Sequence, residues 1–435
     1  MPMKNQNYGY FGLAIASLIT IILWMLAKPA INYIWASPFR SAGQLAGLLG
    51  IVFLTAQYLL ATRLTAIERQ FGGLDRAYKA HRLLGTVGFL LILYHPFFLA
   101  VNALPSLKEA STYFIFGDEF AYNLGITALY AYLVLLVVTM FLKLPYHIWK
   151  KTHIWMGAPF LLAVWHVAII GSDVGRYLPL RIWIFSLCAI GTASFLYRRF
   201  LYGRFSPHAE FSIEHLEQKN DIVEVYLKPT AQNYFFLPGQ FAFVAFHNAK
   251  ISTEKHPFSF SSAPQEPLVR LSIKQSGDYT KKLSNLTVGD SATLYGPHGM
   301  FGRFSMESPN QPQLWIAGGI GVTPFLSLLR YYANQGKSPS IFFIYATRTK
   351  EDAPYLTEIQ EYKEKLGDKL KFFHYSSADM GVITAEKIKR MNGGFANTRI
   401  LLCGPQGMME SLREQFTADG VHPRSIYFED FSFFS

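Results

Sequence analysis

The sequence predicts a multi-domain membrane protein: a bundle of six transmembrane helices, then an antiparallel β-barrel, then an α/β domain with a parallel sheet. Six long apolar segments all lie within the first 204 of the 435 residues. These 204 residues carry 17 Lys and Arg against 6 Asp and Glu, whereas residues 205–435 carry 23 of each and are neutral. Beyond residue 205, short alternating strands appear, followed by strand–glycine turn–helix units. We therefore expect domains at 1–204, 205–308 and 309–435.

Each apolar segment holds about 20 residues, which is the length needed to cross a bilayer. The six segments contain at most one Lys, Arg, Asp or Glu each and cover residues 8–27, 41–62, 83–107, 120–142, 152–172 and 177–197. No A-x-A-like site follows the first segment and five more segments do follow it, so we do not expect a cleaved signal peptide.

The loop charges predict an orientation. Twelve Lys and Arg residues flank the segments on one side and five on the other. Because cytoplasmic loops carry the excess of basic residues, we expect both ends of the bundle, and everything after Arg204, in the cytosol. Because the excess of basic over acidic residues is confined to the apolar half, a nucleic-acid reader is not expected. Two cysteines, Cys188 and Cys403, are too few for a disulfide framework.

Four histidines belong to two of the spans, where ionisable residues are costly and indicate function. His81 and His95 lie 14 residues apart on the third span, and His153 and His166 lie 13 apart on the fifth. Both spans run in the same direction, so His81 matches His153 in depth and His95 matches His166. At about 1.5 Å per residue the two levels are roughly 20 Å apart. This layout predicts two stacked haems, each held by two histidines. The alternative is four buried histidines bonded to backbone carbonyls.

The spacing on the fifth span needs an irregularity. Fourteen residues nearly restore a helical face, whereas thirteen do not. We expect Pro159, between His153 and His166, to kink or rephase this span so that both rings point inward.

The second half contains two kinds of sheet. Strands at 211–213, 222–227, 241–245, 268–273 and 291–294 are separated by turn residues and predict a small antiparallel barrel. Strands at 313–317, 340–345, 371–374 and 399–403 alternate with helices and predict an open, Rossmann-like parallel sheet.

Three motifs in this half suit cofactors. Residues 256–264 place serine hydroxyls and an aromatic ring near a strand edge, which suits the edge of a flavin ring. Residues 318–324 form a glycine-rich turn that opens a helix. Glycines let the backbone approach a pyrophosphate, and the helix N-terminus favours its charge. Cys403, Gly404 and Pro405 follow a strand end, where open α/β sheets bind ligands.

In this order and spacing, the motifs make the second half resemble the ferredoxin–NADP reductase-like flavoprotein family. Further landmarks are Pro238-Gly239-Gln240-Phe241, Gly277-Asp278-Tyr279-Thr280 and Tyr295-Gly296-Pro297-His298-Gly299. Through its four histidines the first half resembles the ferric reductase-like transmembrane domain. Residues 40–435 as a whole are similar to the NADPH oxidase and ferric reductase superfamily, in a minimal bacterial form.

The resemblance implies roles for individual residues. FAD-binding roles are implied for His256, Pro257, Phe258, Ser259, Ser262, Lys274, Gly277, Tyr279 and Thr280. Roles in holding the nicotinamide dinucleotide are implied for Gly318, Gly319, Gly321, Thr323, Pro324, Cys403, Gly404 and Pro405. Ser259 is expected to bond the isoalloxazine edge, and Cys403 to lie beside the nicotinamide. Pro257 stands where many relatives carry an arginine.

Nucleotide preference is predicted from the end of the strand at 340–345. No Asp or Glu occurs in the five residues that follow it, whereas Arg348 and Thr349 suit a 2′-phosphate. We therefore expect NADPH to be preferred over NADH, with Arg348 as a cofactor-binding residue. The alternative is an exposed loop arginine.

The C-terminal segment is rich in phenylalanine and allows two interpretations. Residues 426–428 form a last strand, and the later rings either fill a core edge or touch the membrane surface. Alternatively, Phe431 stacks on the flavin, as an aromatic residue near the end of the chain often does in this superfamily. Phe431 and Cys403 are our two candidate catalytic residues.

The resemblance implies that electrons pass from NADPH, or NADH, through FAD and two b-type haems to oxygen outside, producing superoxide. A ferric or other metal chelate is the alternative acceptor. A non-enzymatic haem scaffold would leave the nucleotide motifs unexplained. We expect no nucleic-acid partner, and no obligate protein activator because the sequence has no EF-hand and no long basic or Pro-rich tail. The expected location is a bacterial plasma membrane, with the FAD and NADPH domains in the cytosol.

Overall fold

The computed structural model describes residues 8–142, 144, 146–230 and 234–428. They form two compact units that adjoin in sequence at Phe205 and Ser206. Phe431, with the rest of segment 429–435, lies outside the described residues.

The first unit is helical. Its helices are α1 (Tyr8–Leu26), α2 (Asn32–Ala36), α3 (Pro38–Ala61), α4 (Thr65–Phe71), α5 (Leu74–Ala103), α6 (Leu107–Ser111), α7 (Phe120–Phe141), α8 (Tyr146–Ile154), α9 (Gly157–Ile169), α10 (Asp173–Arg176), α11 (Leu178–Leu196) and α12 (Tyr202–Phe205), with a π-helical turn at Tyr197–Leu201. Within the described residues, six helical segments are long and apolar enough to cross a membrane, which confirms the predicted number of spans.

Glycines allow α3 and α5 to approach closely. Gly43, Gly47 and Gly50 lie on the face of α3 that meets α5. A Cβ on Gly50 would lie 3.0 Å from the Cγ1 atom of Ile92, closer than ordinary van der Waals contact. Small residues at such spacing are typical of tightly packed membrane helices.

The fifth span is interrupted between its two histidines. α8 ends at Ile154 and α9 begins at Gly157, because Pro159 has no N–H to donate to the carbonyl of Trp155 four residues earlier. Ala158 donates to that carbonyl instead (3.0 Å), and Met156 donates to His153 (3.2 Å). These i→i−3 bonds are 3₁₀-like and turn the chain by about 120° per residue, which moves His166 towards the face of His153.

The second unit begins with an antiparallel sheet. Its strands are β1 (His208–Lys219), β2 (Ile222–Pro229), β3 (Phe241–His247), β4 (His256–Ser259), β5 (Val269–Lys274) and β6 (Ser291–His298), in the order β4-β3-β6-β1-β2-β5. A β-bridge between Phe260 and Leu271 links the two edges. The N–H of Ser261 also donates to the carbonyl of Arg270 (2.9 Å). The sheet therefore closes into a barrel.

The remaining residues form a five-stranded parallel sheet. Its strands are β7 (Gln313–Gly318), β8 (Ile341–Thr347), β9 (Leu370–Ser376), β10 (Arg399–Cys403) and β11 (Ile426–Phe428), in the order β11-β10-β7-β8-β9. The helices of this unit are α13 (Asp278–Lys281), α14 (Phe301–Met306), α15 (Thr323–Gln335), α16 (Leu356–Leu366), α17 (Ser377–Met380), α18 (Ala385–Asn392) and α19 (Gln406–Ala418). Short 3₁₀ turns occur at Lys282–Asn285, Gly319–Val322, Gly367–Lys369 and Pro423–Ser425.

Helices cover both faces of the parallel sheet. Trp315 packs in one core with Phe325 of α15, and its neighbour Ile316 packs in the other with Leu412 of α19. Adjacent residues of β7 thus enter opposite cores and are all buried, as expected for a parallel sheet between two helical layers.

Candidate functional site

The four histidines of the membrane unit form two pairs. His81 of α5 and His153 of α8 face one another with ring centroids 6.1 Å apart and planes inclined by 67°. That separation is compatible with one iron between two imidazole nitrogens that each bind it at about 2 Å. His95 and His166 are close enough to interact electrostatically. The structure therefore pairs the histidines as their matched depths require.

Backbone carbonyls hold three of the rings by the Nδ1 atom. His81 donates to Gln57 (3.0 Å), His95 to Gly43 (2.7 Å) and His166 to Ala121 (2.7 Å). Because a carbonyl only accepts, the Nδ1 atoms carry the hydrogen and the Nε2 lone pairs remain available. This arrangement is common among metal-ligating histidines, where it fixes the tautomer and the ring orientation.

His153 differs from the other three histidines. Its Nδ1 atom is buried and has no hydrogen-bond partner among the described residues. Trp149 stacks on its ring at 5.0 Å with an interplanar angle of 9°. Stacking on Trp149 therefore holds this ring in place of a hydrogen bond from Nδ1 to a backbone carbonyl.

Glycines on facing helices form the walls of the His95–His166 level. A Cβ on Gly47 would lie 2.8 Å from Nδ1 of His95, and a Cβ on Gly125 would lie 3.0 Å from Nδ1 of His166. The residues present thus fit two bis-histidine haem sites. Neither glycine was predicted as part of the site, although the Gly43-x₃-Gly47-x₂-Gly50 spacing in α3 was a signal for Gly47.

Aromatic side chains pack together beside the break in the fifth span. Phe160 is fully buried and packs on Tyr58 at 4.5 Å between ring centroids. The hydroxyl of Tyr58 donates to the carbonyl of Met156 (2.7 Å) and lies 3.2 Å from that of Tyr132. Among the described residues, no three or more His, Cys, Asp or Glu side chains lie together where they could hold a metal ion.

In the barrel, two of the FAD motifs meet. His256 at the start of β4 stacks on Tyr279 with centroids 3.8 Å apart. Burial raises the pKa of Tyr279 to about 12, so this phenol is neutral at physiological pH. Thr280 bonds the backbone of Gly277 and caps the short helix that follows. Pro257, Phe258 and Ser259 continue along β4 with half-buried side chains.

Two predicted FAD residues have partners within the protein. Lys274 forms an ion pair with Asp221 (3.2 Å), and both side chains are about half exposed. The hydroxyl of Ser262 is fully buried and accepts from the N–H of Arg270 (2.9 Å). Ser262 thereby stabilises the loop after β4, and its contact with FAD stays a prediction.

The glycine turn and the Cys403 segment lie side by side because β7 and β10 are neighbours in the sheet. A Cβ on Gly321 would collide with the carbonyl of Cys403, and a Cβ on Gly404 would lie 2.9 Å from the Cα of Gly318. Only glycines allow this approach. Gly319 has a φ of +52°, which also favours glycine.

The turn then leads into the helix that faces this sheet end. Thr323 is the first residue of α15 and donates its hydroxyl to the carbonyl of Ile320 (3.1 Å), and Pro324 occupies the first turn. Pro405 ends the neighbouring segment as the N-cap of α19. The N-termini of two helices therefore lie at the carboxyl end of the sheet, where phosphate groups are favoured.

The end of β8 corrects one expectation. Arg348 is exposed, and no ion pair of its guanidinium occurs in the described part of the chain. Thr349, however, donates its N–H (3.1 Å) and its hydroxyl (3.2 Å) to the Oδ2 atom of Asp352. The expectation that no acidic side chain lies at this strand end is wrong, because the loop after β8 folds back and brings Asp352 to Thr349, three residues earlier.

Two family descriptions match the chain. Residues 46–164 match the ferric reductase like transmembrane component, and residues 315–414 match the oxidoreductase NAD-binding domain.

Curated relatives match part of the chain. The reductase component of propane 2-monooxygenase from Mycolicibacterium smegmatis is 31% identical over 282 residues, covering 60% of this chain and 78% of that protein. The electron transfer component of 2-halobenzoate 1,2-dioxygenase from Burkholderia cepacia is 32% identical over 212 residues, covering 45% of this chain and 59% of that protein. Flavohemoprotein A from Dictyostelium discoideum is 25% identical, covering 51% and 60%. The chain thus spans about 60% of the length of the last two relatives.

One solved structure is similar over most of the chain. Flavohemoglobin from Malassezia yamatoensis with bound FAD and heme has a TM-score of 0.51 at 18% identity, covering 92% of this chain and 97% of that one. This likeness concerns the fold alone.

Proposed function

Since the chain belongs to the NADPH oxidase and ferric reductase superfamily, we propose that it transfers electrons across a membrane from NADPH to molecular oxygen and releases superoxide. The chain is an NAD(P)H-driven oxidoreductase with a ferric reductase-like membrane part and a reductase module. The acceptor, the haem path and the nucleotide preference belong to the proposal.

The observation that carries the proposal is the pairing of His81 with His153 and of His95 with His166 in the chain that also bears the reductase module. A reductase serving a soluble partner has no need of two histidine pairs at two depths of a membrane bundle. These four side chains would hold two b-type haems: three of the rings bond backbone carbonyls through Nδ1, which leaves Nε2 to face an iron, and the ring of His153 is held by stacking on Trp149.

The residues of the reductase module would bind and orient the electron donor. The turn from Gly318 to Pro324 supplies backbone N–H groups and a helix N-terminus for the pyrophosphate, and Cys403 would lie beside the nicotinamide. Ser259, with the ring of Phe258, would hold the flavin edge. The chemistry that FAD and haem supply when bound is the conversion of a two-electron donor into single-electron transfer. One NADPH then yields NADP⁺, one proton and two electrons, which reduce two oxygen molecules to superoxide.

The basic residues indicate the side on which NADPH is oxidised. Twelve Lys and Arg flank the spans on one side and five on the other, so we propose that both cofactor domains face the cytosol of a bacterial cell. Superoxide would then appear on the outside.

The test compares two products made by the same purified protein. Dye reduction that superoxide dismutase abolishes would support the oxidase. Ferrous iron formed at the same rate with and without superoxide dismutase, and without oxygen, would instead support a ferric chelate reductase, which the match to the ferric reductase like component also favours. A His95→Ala variant should lose either product while NADPH still reduces its flavin. If protein loaded with FAD and haem formed neither superoxide nor ferrous iron, the proposal would be overturned.

A further inference from the structure

A buried ionic network joins the barrel to the parallel-sheet domain. Arg270 of β5 is 2% exposed and donates to both oxygens of Glu358 of α16, with both N···O distances 2.9 Å. Arg330 of α15 bonds the same carboxylate (2.9 Å) and reaches Glu266 of the barrel (3.0 Å). Glu224, buried inside the barrel, lies 3.6 Å from Arg270. Positive and negative groups alternate across the domain junction.

On the barrel side, Arg270 is anchored to the residues that follow the flavin motif. Its guanidinium donates to the hydroxyl (3.1 Å) and the carbonyl (3.2 Å) of Ser261, two residues after Ser259. The backbone N–H of Arg270 donates to the hydroxyl of Ser262 (2.9 Å). Any movement of the Arg270 guanidinium is therefore transmitted to the segment that begins at Ser259.

On the other side, the network holds the helix that opens at the glycine turn. Arg330 lies two turns along α15 from Thr323, and Ser327 lies between them. The hydroxyl of Ser327 donates to the carbonyl of Ser262 (2.7 Å) and accepts from the N–H of Gly239 (3.2 Å). The helix that opens at the glycine turn is thus bonded directly to the barrel.

The surrounding charges favour the ionised forms of both Glu358 and Arg270. Burial alone would raise the pKa of Glu358, but the hydrogen bonds and charge of Arg270, together with Arg330, hold it below its ordinary value. Burial alone would lower the pKa of Arg270, yet Glu358 and Glu224 raise it. Buried ion pairs contribute little net stability compared with apolar residues of the same volume, so stability is a weak reason for this network. A bidentate guanidinium–carboxylate pair, however, fixes relative orientation.

We propose that Arg270 is a positioning residue: its bidentate bond to Glu358 holds the nicotinamide-binding end of the α/β domain in register with the flavin segment of the barrel. The proposal rests on the proposed function, because transfer of a hydride between two bound rings is what requires that register. A misplacement of about 1 Å is enough to cost roughly a hundredfold in rate. Lysine has the charge of Arg270 but not its planar fork, so it cannot reproduce the orientation.

The experiment uses the full chain with FAD and haem bound, and compares Arg270→Lys with the wild type. We expect the rate of flavin reduction by NADPH in a single turnover to fall at least tenfold, while the apparent nucleotide Kd changes less than twofold. The isotope effect with NADPH deuterated at the nicotinamide C4 should increase. Arg390→Lys is the matched control, because Arg390 pairs with Glu386 on the exposed surface of α18 and should leave the reduction rate unchanged.

A second readout does not depend on turnover. In flavin-free protein, hydrogen exchange should be faster in Arg270→Lys than in Arg390→Lys for peptides covering Val269–Lys274 and Leu356–Leu366. If Arg270→Lys does not fold, Glu358→Asp replaces it, since that change keeps the charge and shortens the reach by one methylene. It should show the same loss of rate.

The outcomes separate the two proposals. Suppose that NADPH reduces the wild-type flavin rapidly and that Arg270→Lys or Glu358→Asp has the same reduction rate and isotope effect. This result would overturn the positioning role alone, even if the melting temperature of the variant fell. A wild-type flavin that neither nucleotide reduces would overturn the proposed function, and the positioning role with it.

Discussion

Gly47 of α3 lies so close to the ring of His95 that a Cβ in its place would come within 2.8 Å of Nδ1 and 3.1 Å of Cε1. Contacts under 3.0 Å force one group to move. The same ring donates to the carbonyl of Gly43, one turn earlier on the same helix (2.7 Å). One face of α3 therefore sets both the position and the tautomer of His95.

We expect Gly47→Ala to displace the His95 ring and to lower haem content from two towards one per chain. Gly12→Ala is the matched control, because no heavy atom lies within 4 Å of the Cβ it would introduce and it is also a helical glycine. A pyridine haemochrome assay on purified protein measures the ratio. If Gly47→Ala retained two haems with unchanged reduction potentials, the role of Gly47 as a wall of the His95 site would be contradicted.

The pairing of the histidines predicts which double substitutions remove one haem and which remove both. His95→Ala and His166→Ala should each remove the same haem, so the double variant should lose no more haem than either single variant. The crossed double His95→Ala/His153→Ala should lose both haems. Haem stoichiometry distinguishes these cases, and a crossed double that retains one haem would show that the pairs are assigned wrongly.

Asp352 is expected to weaken NADPH binding, because its carboxylate lies on Thr349 where a 2′-phosphate would approach. Asp352→Asn should raise the NADPH-to-NADH ratio of kcat/KM by about fivefold, the effect of roughly 1 kcal/mol from one exposed charge. Arg348→Ala should lower the ratio. Asp368→Asn, an exposed carboxylate at the opposite end of the sheet, should change nothing. Equal ratios in all variants would place the 2′-phosphate elsewhere.

The ion pairs of Glu358 with Arg270 and Arg330 predict that the folded protein loses stability in acid. Arg270 and Arg330 lower its pKa in the folded state, so its contribution is present above the unfolded pKa of about 4.3 and is lost as the pH falls through the lower folded value. Glu358→Gln removes the bidentate carboxylate and leaves Arg270 with Glu224 at 3.6 Å, which we expect to cost about 3 kcal/mol and to lower the melting temperature at neutral pH by about 6–12 °C. In thermal scans, the difference in melting temperature between the wild type and Glu358→Gln should become smaller below about pH 4. Glu386→Gln, from an exposed pair, should show no such dependence.

Phe431 lies outside the described residues, and its role stays a prediction from the resemblance. Phe431→Ala should change the KM for the nucleotide and relax discrimination between NADPH and NADH, because the flavin face would be open. Haem content should stay normal. Steady-state kinetics of Phe431→Ala, Phe433→Ala and Phe434→Ala identify the ring involved, and three unchanged variants would favour the core-edge interpretation.

Hydropathy and local periodicity were sufficient to predict the architecture. The six spans, the strands and the glycine turn before α15 depend on residues adjacent in sequence, and the structure confirms this fold class. The depths of His81, His95, His153 and His166 also followed from counting residues, since helical rise is constant. The thirteen-residue spacing on the fifth span called for an irregularity, and Pro159 supplies the break at Trp155 and Met156.

The sequence by itself thus predicted an NAD(P)H-driven oxidoreductase with a ferric reductase-like membrane part, and it predicted which histidines pair. Only the tertiary structure decided that Gly47 and Gly125 form walls for His95 and His166, that Asp352 folds back on Thr349, and that Arg270 meets Glu358. The physical reason is the same in each case. Residues 48, 41 and 88 positions apart are brought together by helix packing and sheet order, while Asp352 depends on one loop conformation, and no local periodicity encodes either.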